Sequence, residues 1–415
     1  MEFPIIKTFH WIVVYSLVAL FLFVAKTSSQ DSTIGSPSGV SILGKETQNG
    51  SVRQVLASKE EDTTIETTTA LSALTSIWKN TTEKSSILLP LYWHIPKSGG
   101  TAMKQLAQCL GLINIHQGVV GIAGNAAAGI DDPLKIVQHG PSFLVNVDIS
   151  NPAGIRNAYQ RGLRDFLISN ILLQQQQEQE QDQWSTTSPL QTISKTMMAT
   201  PLFQDAVQYL LPSSSSASSL LSNQTRFQMK TLVFALFRHP VERAVSLFYY
   251  LQHADWEPTY RPDLVHTTLL EFYTSPTERF ERNWMTYYLA VYGRTDRLKT
   301  NGTTTTSSAA VTREDLDYAK RILDEYMLVA LTDHMAESLR RLGISLQWRT
   351  LPMWSQCQNQ YSGSKSGAGG AANAFAHPRV LPDSPEWKII AEVNAYDMEL
   401  YEYALQVFHK QSVLF

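Results

Sequence analysis

Cysteine is scarce in this chain, which has only Cys109 and Cys357 among its 415 residues. So few cysteines exclude a disulfide-rich scaffold and a cysteine-rich zinc site, and the two thiols either pair or stay free. A surplus of basic residues is also missing, since 34 lysines and arginines stand against 37 acidic residues, a formal net charge of −3. Nucleic-acid-binding proteins are expected to carry such a surplus, so we predict no nucleic-acid partner.

Two nucleotide-binding signatures are missing as well. The chain has no Walker A loop, Gly-x-x-x-x-Gly-Lys-Ser/Thr, because its lysine at 97 comes before a glycine pair instead of after it. It also has no obvious Asp/Glu pair of Walker B character. Both absences count against a nucleotide kinase of the phosphate-loop class, which is kept as an alternative.

The amino-terminal region contains one apolar run, residues 9–25, with Lys7 before it and Lys26 after it. Its length is at the lower limit for crossing a bilayer. We favour a signal-anchor with residues 1–8 as a cytoplasmic tail, and a cleaved signal peptide is the alternative. Both interpretations put the rest of the chain in the secretory lumen.

Residues 26–86 are rich in Ser, Thr, Gly and Glu and cannot bury enough apolar surface to fold alone, so they predict a disordered stem. Residues 87–415 are predicted to form a single domain. Four low-complexity segments in it are interpreted as surface insertions: 174–183, 213–219, 303–308 and 362–373. The sequons at Asn49, Asn80, Asn223 and Asn301 fit a luminal chain but give weak support.

One stretch predicts a strand, a tight turn and a helix. The apolar run 87–93 suits a buried strand, and residues 102–110 have helical apolar spacing before Gly111. Between them, Gly99 and Gly100 let the backbone approach a ligand closely. The ammonium of Lys97, the hydroxyls of Ser98 and Thr101 and the first helical amides together predict a phosphate cradle.

A second stretch has the same order of elements. The apolar strand 231–237 ends at Arg238, and Pro240 takes the first position of a helix. On this helix, Ser246 lies on a face that we expect to turn toward the strand end. Arg238 and Ser246 are therefore predicted to converge on one phosphate, for which a guanidinium is a suitable bidentate ligand.

The rest of the domain alternates strand and helix patterns. We predict a strand at 142–148, a helix at 154–168, a helix capped at Thr312 and a strand at 327–331. Asp333 is expected to cap a further helix that ends at Gly343, and one apolar stripe to run from Ile389 to Val407 in a helix capped by Ser384. This alternation predicts an α/β fold with a mainly parallel sheet flanked by helices.

The two motifs, Pro-Lys-Ser-Gly-Gly-Thr and Arg-His-Pro-Val-Glu-Arg-Ala-Val-Ser, resemble the 5′-phosphosulfate and 3′-phosphate motifs of the Golgi sulfotransferase family. The resemblance covers about residues 87–410. It implies a P-loop-like sulfotransferase fold, a type II Golgi membrane protein, and sulfuryl transfer from 3′-phosphoadenosine 5′-phosphosulfate (PAPS) to a carbohydrate acceptor. It assigns PAPS binding to Lys97, Ser98, Gly99, Gly100, Thr101, Ala102, Arg238 and Ser246, with Lys97 also catalytic and no metal required.

The general base is not located by this resemblance. We rank Asp148 first, His139 second and His116 third, although Asp148 could instead cap a helix and either histidine could be an exposed loop residue. Asp148 is ranked first because its strand is expected to run beside the Lys97 loop. Trp256 and the tract Trp348–Trp354 are candidates for stacking on a ring, with core packing favoured for both. The segment Glu281–Tyr288 suits a contact with a sugar or an adenine, and an amphipathic core helix explains most of it equally well. A catalytically silent PAPS-fold protein that binds glycans is the second alternative function.

Overall fold

The computed structural model describes residues 86–116, 133–181, 195–211, 228–257, 259–276, 282–292, 310–362 and 377–415. All of these belong to one compact unit, Glu60–Phe415. The predicted membrane segment 9–25, the predicted stem up to residue 85 and all four sequons lie outside the described residues. Within the described ranges, no helix combines the length and the apolar character needed to cross a membrane.

Within the described residues, a seven-stranded sheet forms the centre of this unit. Its strands are β1 (Ser86–Trp93), β2 (Ile113–Ile115), β3 (Ile136–His139), β4 (Ser142–Val145), β5 (Thr196–Thr200), β6 (Gln228–Phe237) and β7 (Met327–Leu331). They are arranged in the order β3-β4-β2-β5-β1-β6-β7. Only the edge strand β3 is antiparallel to its neighbour, and the other pairs are parallel. The predicted α/β fold with a mainly parallel sheet is thus confirmed.

The central strands are apolar on both faces, which explains why helices cover the sheet on both sides. Successive side chains of a strand point to opposite faces. In β1, Leu91 and Trp93 therefore pack into one core cluster while Tyr92 packs into the other. In β6, Val233 packs into the cluster that contains Trp93, and Phe234 packs into the cluster that contains Tyr92. The sheet has two separate hydrophobic layers, one on each face.

Twelve α-helices are described. They are α1 (Gly100–Cys109), α2 (Pro152–Gln160), α3 (Leu163–Gln181), α4 (Phe203–Tyr209), α5 (Pro240–Leu251), α6 (Leu269–Thr274), α7 (Trp284–Thr286), α8 (Arg313–Tyr326), α9 (Met335–Ser345), α10 (Trp354–Ser362), α11 (Pro385–Val393) and α12 (Ala395–Lys410). A π-helix, Tyr287–Val291, continues α7. The layer that contains Trp93 includes α2, α3, α4, α8 and α12, whereas α1, α9 and α10 pack on the opposite face.

A third cluster contains no strand residue. It joins α5 to the 3-10 turn Pro262–His266, to α6 and to Ile390 of α11. We call these four elements the edge cap. On α5, the predicted stripe of Val241, Val245, Phe248 and Leu251 is buried, as expected.

Several helix boundaries differ from the predictions. The predicted helix 154–168 is two helices, because Gly162 adopts a left-handed φ of 70° between α2 and α3. The glutamine-rich segment is also not a simple insertion, since α3 continues through Gln181. Asn394 interrupts the predicted carboxy-terminal helix. Asp333 does not cap α9, which begins after His334 without a side-chain cap.

The structure also settles the alternatives for the two cysteines. Cys109, the last residue of α1, is disulfide-bonded to Cys357 of α10, across 248 positions of sequence. The bond lies in the layer that contains Tyr92, where Cys357 is fully buried. It ties the helix that follows the Lys97 loop to the carboxy-terminal third of the chain.

Candidate active site

The two predicted phosphate motifs meet at one point of the sheet. β1 and β6 are parallel neighbours along all eight residues of β1, so their carboxyl ends lie side by side. After β1 the chain crosses to β2 on one side, and after β6 it continues to β7 on the other. This reversal of direction makes the β1/β6 crevice a topological switch point, which is where ligands bind in open α/β sheets.

Backbone geometry explains the glycine pair in the loop after β1. Gly99 has a φ of 82° and precedes the first turn of α1, in a conformation that favours glycine. A Cβ at Gly100 would collide with the His94 ring, and one at Gly99 would meet the Leu236 side chain. Lys97 itself has a left-handed φ of 65°, which is uncommon for a residue with a side chain. Such strain is typical of functional sites.

The loop offers hydrogen-bond donors to an anion. The first amides of a helix lack intrahelical acceptors, and Gly100, Thr101 and Ala102 form the first turn of α1. The Ser98 hydroxyl oxygen is buried and has no hydrogen-bond partner among the described residues. However, the Ser98 amide donates to the Ile95 carbonyl at 3.2 Å, so it is not among the amides that face outward.

The Lys97 ammonium lies over the face of an aromatic ring. Its Nζ is 3.7 Å from the centroid of Tyr250, in the last turn of α5. Burial, followed by the charge of Arg238, lowers the pKa of Lys97 to about 8, although Glu257 opposes the shift. Lys97 is therefore a cation at neutral pH but loses its proton more readily than an exposed lysine.

Arg238 connects the two motifs directly. Its Nη1 donates a hydrogen bond to the Lys97 carbonyl at 3.2 Å, across 141 positions of sequence. Its Nε lies 3.4 Å from Glu242 on α5. Ser246 is partly buried one turn beyond Glu242. The residue of α5 that Arg238 contacts is thus Glu242, and convergence of Arg238 and Ser246 on one phosphate stays a prediction.

Asp148 is not where its sequence position suggested. Its strand β4 is separated from β1 by β2 and β5, so it does not run beside the Lys97 loop. The carboxylate accepts hydrogen bonds from the Ser150 amide at 2.8 Å and from Asn151 Nδ2 at 3.0 Å. Asn151 in turn caps α2. Asp148 thus holds the capping residue and is not itself the cap of α2, and its role as a general base stays a prediction.

The two candidate histidines lie at opposite edges of the sheet. His139 is exposed at the end of the antiparallel strand β3, where it pairs with Ser142 at the start of β4. It therefore lies at the amino edge of the parallel strands, away from Lys97. His116 directly follows β2 at the carboxyl edge, and its charge acts on His94, as does that of Lys97. Of the three ranked residues, His116 is the one that this geometry favours.

Four residues of the site were given no role from sequence: His94, Lys104, Tyr250 and Glu257. Burial, with the charges of Lys104, His116 and Lys97, lowers the pKa of His94 to about 3, so its imidazole is neutral. Glu257 accepts a hydrogen bond from the Tyr250 hydroxyl at 2.7 Å. The charge of its carboxylate acts to raise the pKa of Lys97 and Lys104, but the larger effect of burial lowers both. Tyr250 lies one helical turn after Ser246, and this spacing was the sequence signal that could have identified Tyr250 as a residue of the site.

The aromatic candidates divide into buried and exposed residues. Trp348 is fully buried and Trp354 is nearly so, which confirms core packing for that tract. Trp284 is also buried, and its ring stacks with those of Trp93 and Tyr288. Trp256 is different, because 57% of it is exposed. Core packing, which the sequence favoured for Trp256, is therefore wrong.

Residues of the second motif and of α5 also make contacts between aromatic rings. The rings of His239 and Trp387 have their centroids 4.9 Å apart, and the His239 Nδ1 is buried without a hydrogen-bond partner among the described residues. On the neighbouring face of α5, Tyr249 stacks on His377 at 5.1 Å. These rings offer flat surfaces on which a planar ring of a ligand can stack.

Comparison with known proteins adds no family to this description. No family model matches the chain, and no curated protein matches it. Within the described residues, no cluster of three or more His, Cys, Asp or Glu side chains could hold a metal ion.

Proposed function

We propose that this protein transfers the sulfuryl group of PAPS to a hydroxyl of a carbohydrate, in a sulfotransferase-type variant of the P-loop fold. The observation that carries the proposal is the hydrogen bond from Arg238 to the Lys97 carbonyl at the β1/β6 switch point. It unites two motifs that each resemble a PAPS-binding motif. The loop at Lys97 can hold one phosphate, and the guanidinium of Arg238 in the same crevice can hold a second. This arrangement fits a donor with phosphates at both its 5′ and 3′ positions.

The reaction requires charge neutralisation and the transfer of one proton. The bond between sulfur and the bridging oxygen of the 5′-phosphate breaks while a bond from sulfur to the acceptor oxygen forms. Lys97 and the first amides of α1 stabilise the charge that develops on the departing phosphate. The acceptor hydroxyl gives its proton to a base, for which His116 has the best position. The products are the sulfated acceptor and 3′-phosphoadenosine 5′-phosphate.

Two other functions fit the chain less well. A phosphate-loop kinase needs a lysine after its glycines, whereas Lys97 precedes Gly99 and Gly100. A silent glycan-binding protein does not need a cationic lysine at the centre of the crevice. Lys97 is held there at the cost of a left-handed backbone and a lowered pKa, as is typical of catalytic groups.

A secretory location goes with this proposal. The disulfide between Cys109 and Cys357 is the type of bond that persists in an oxidising compartment. We therefore propose a Golgi protein with a type II anchor at residues 9–25 and a luminal catalytic domain. Extraction of the full-length protein with carbonate and digestion with a glycosidase would test the anchor and the luminal topology.

A transfer assay tests the activity. Purified domain is incubated with ³⁵S-labelled PAPS and desulfated polysaccharides, in the presence and absence of EDTA. We expect incorporation of label that EDTA leaves largely unchanged. Dependence on ATP and Mg²⁺ would instead identify a kinase, and binding of glycan without any transfer would identify the silent protein.

Replacing Arg238 with alanine should chiefly weaken donor binding. Loss of a charge-assisted pair of hydrogen bonds to a phosphate should lower the affinity for 3′-phosphoadenosine 5′-phosphate about 30-fold to 150-fold. Isothermal titration calorimetry measures this directly. Arg340→Ala is the matched control, because Arg340 is paired with Glu337 on the surface of α9. Wild-type affinity in Arg238→Ala would make the assignment of the 3′-phosphate wrong.

The rate should also depend on the protonation of Lys97. Only the ammonium neutralises the leaving phosphate, and the lowered pKa of Lys97 is about 8. We therefore expect kcat/KM for PAPS to fall as the pH rises through about 8, since this ratio reports the free enzyme. A profile that stays level up to pH values where ordinary lysines titrate would contradict the role of Lys97.

A further inference from the structure

The chain that follows α5 forms an ordered turn beside the candidate active site. The Ala254 amide donates to the Tyr250 carbonyl at 3.0 Å, and the Glu257 amide donates to the Ala254 carbonyl at 2.9 Å. Tyr260 then donates to Glu257 at 3.0 Å, and Arg261 returns to Leu251 at 2.8 Å. Residues 254–257 are thus held in a fixed position against the last turn of α5, where Tyr250 contacts Lys97.

This turn presents a large aromatic side chain to solvent. Trp256 is 57% exposed, although its ring packs edge-on against Tyr250 with centroids 6.3 Å apart. By contrast, Trp348 and Trp354 are buried in the core. An indole that is anchored by its neighbours and still open to solvent gives a rigid apolar surface, and such a residue is suited to ligand contact.

The next residue, Glu257, adds a carboxylate that contacts Tyr250 and whose charge acts on Lys97. The Glu257 Oε1 accepts the hydrogen bond of the Tyr250 hydroxyl at 2.7 Å, and the Lys97 ammonium lies 3.7 Å from the centroid of the same ring. Tyr250 therefore links Glu257 to Lys97 in space. A carboxylate has about four acceptor positions, so the bond from Tyr250 leaves acceptor capacity on Glu257 for another donor.

We propose that Trp256 and Glu257 form the subsite that holds the carbohydrate acceptor. The indole stacks on the C–H face of one sugar ring, and the carboxylate accepts a hydrogen bond from a hydroxyl of that ring. Together they present the glycan to the group held at Lys97. This inference rests on the proposed sulfuryl transfer and adds to it the residues that select a sugar ring as the acceptor.

Acceptor kinetics of two variants test the subsite. With PAPS saturating and with O-desulfated heparin and desulfated chondroitin as probes, Trp256→Ala should raise the acceptor KM about tenfold or more, the size of one lost ring-stacking contact. Trp256→Phe should recover most of this loss. In both variants, the affinity for 3′-phosphoadenosine 5′-phosphate should stay within about twofold of the wild-type value. A change of this size is a negligible change in the binding free energy.

Tyr159→Ala is the matched control, because Tyr159 is a similarly exposed aromatic residue, at 58%, near the end of α2. Its acceptor KM should equal that of wild type. An active protein in which Trp256→Ala keeps the wild-type KM for both polysaccharides would overturn the subsite but not the transferase. Wild-type protein that transfers sulfate only to 4-nitrophenol would also overturn it. Failure of wild type to bind 3′-phosphoadenosine 5′-phosphate at all would instead overturn the proposed function, and the subsite with it.

Discussion

Replacing Lys97 with alanine is expected to lower sulfuryl transfer by about 10²-fold to 10³-fold, the range found when a preorganised charge-stabilising donor is removed. The ammonium is the one group of the loop that brings a full positive charge to the leaving phosphate. The melting temperature should change little, because Lys97 is only partly buried and alanine accepts the same left-handed φ of 65° no less readily than lysine does. Single-turnover transfer from labelled PAPS measures the loss in the chemical step.

Lys410→Ala controls for the loss of a lysine as such. Lys410 forms an exposed ion pair with Asp324 at the end of α12. This variant should retain wild-type turnover. A rate above about a tenth of wild type in Lys97→Ala corresponds to an increase of less than about 1.4 kcal/mol in the activation free energy. Such a result would show that Lys97 is not the group that stabilises the leaving phosphate.

Replacing Asp397 with alanine is expected to destabilise the fold by about 3–5 kcal/mol, because it removes a buried carboxylate that offsets the charge of the buried Arg243 and accepts hydrogen bonds from buried donors. Asp397 is fully buried and accepts hydrogen bonds from the Met285 and Thr286 amides at 2.9 and 2.8 Å. Burial raises its pKa, while the charge of Arg243 on α5 opposes the rise. The carboxylate thus connects α12 and α7 to the helix that contains Ser246 and Tyr250.

Denaturant unfolding measures this loss of stability. Asp324→Ala is a suitable control, since that carboxylate has an exposed lysine as its partner and should contribute at most about 1 kcal/mol. Asp397→Asn should fall between the two, because the amide keeps one acceptor oxygen. An unfolding midpoint for Asp397→Ala equal to that of Asp324→Ala would show that Arg243 does not depend on this carboxylate.

The main features of the fold could be predicted because they depend on local patterns. The apolar runs of β1, β6 and β7 are long enough to identify buried strands, and Thr312 and Ser384 cap α8 and α11 as their side-chain chemistry predicts. The interruptions were missed because they depend on single residues. Gly162 and Asn394 lie inside otherwise helical patterns, where the sequence does not show which conformation packing selects.

The position of the strand before Asp148 was predicted wrongly for a different reason. Order along the chain does not give order in the sheet, so nothing in the sequence showed that β2 and β5 separate β4 from β1. The short antiparallel pairing of β3 with β4 was likewise hidden, and this pairing puts His139 at the amino edge of the parallel strands. His116 follows a strand of only three residues, too short to be recognised from its periodicity.

The side-chain contacts of Tyr250, Trp256 and Glu257 could not be predicted from the sequence. Helical spacing places Tyr250 near Ser246, but the cation–π contact with Lys97 joins residues from two distant stretches. The turn that brings Glu257 to the Tyr250 hydroxyl has no sequence signature of its own. These contacts follow from the way α5 lies in the edge cap, which depends on its packing with α6 and α11.

Ligand binding tests the central claim most directly, that the β1/β6 crevice is a PAPS site. Calorimetric titration of the purified domain compares 3′-phosphoadenosine 5′-phosphate, adenosine 5′-monophosphate and ATP with Mg²⁺. We predict that the first binds at least about 30-fold more tightly than the second, the contribution of a 3′-phosphate held by Arg238. ATP with Mg²⁺ should bind more weakly than 3′-phosphoadenosine 5′-phosphate. Equal affinity for the two monophosphates, or tightest binding of ATP with Mg²⁺, would contradict the assignment.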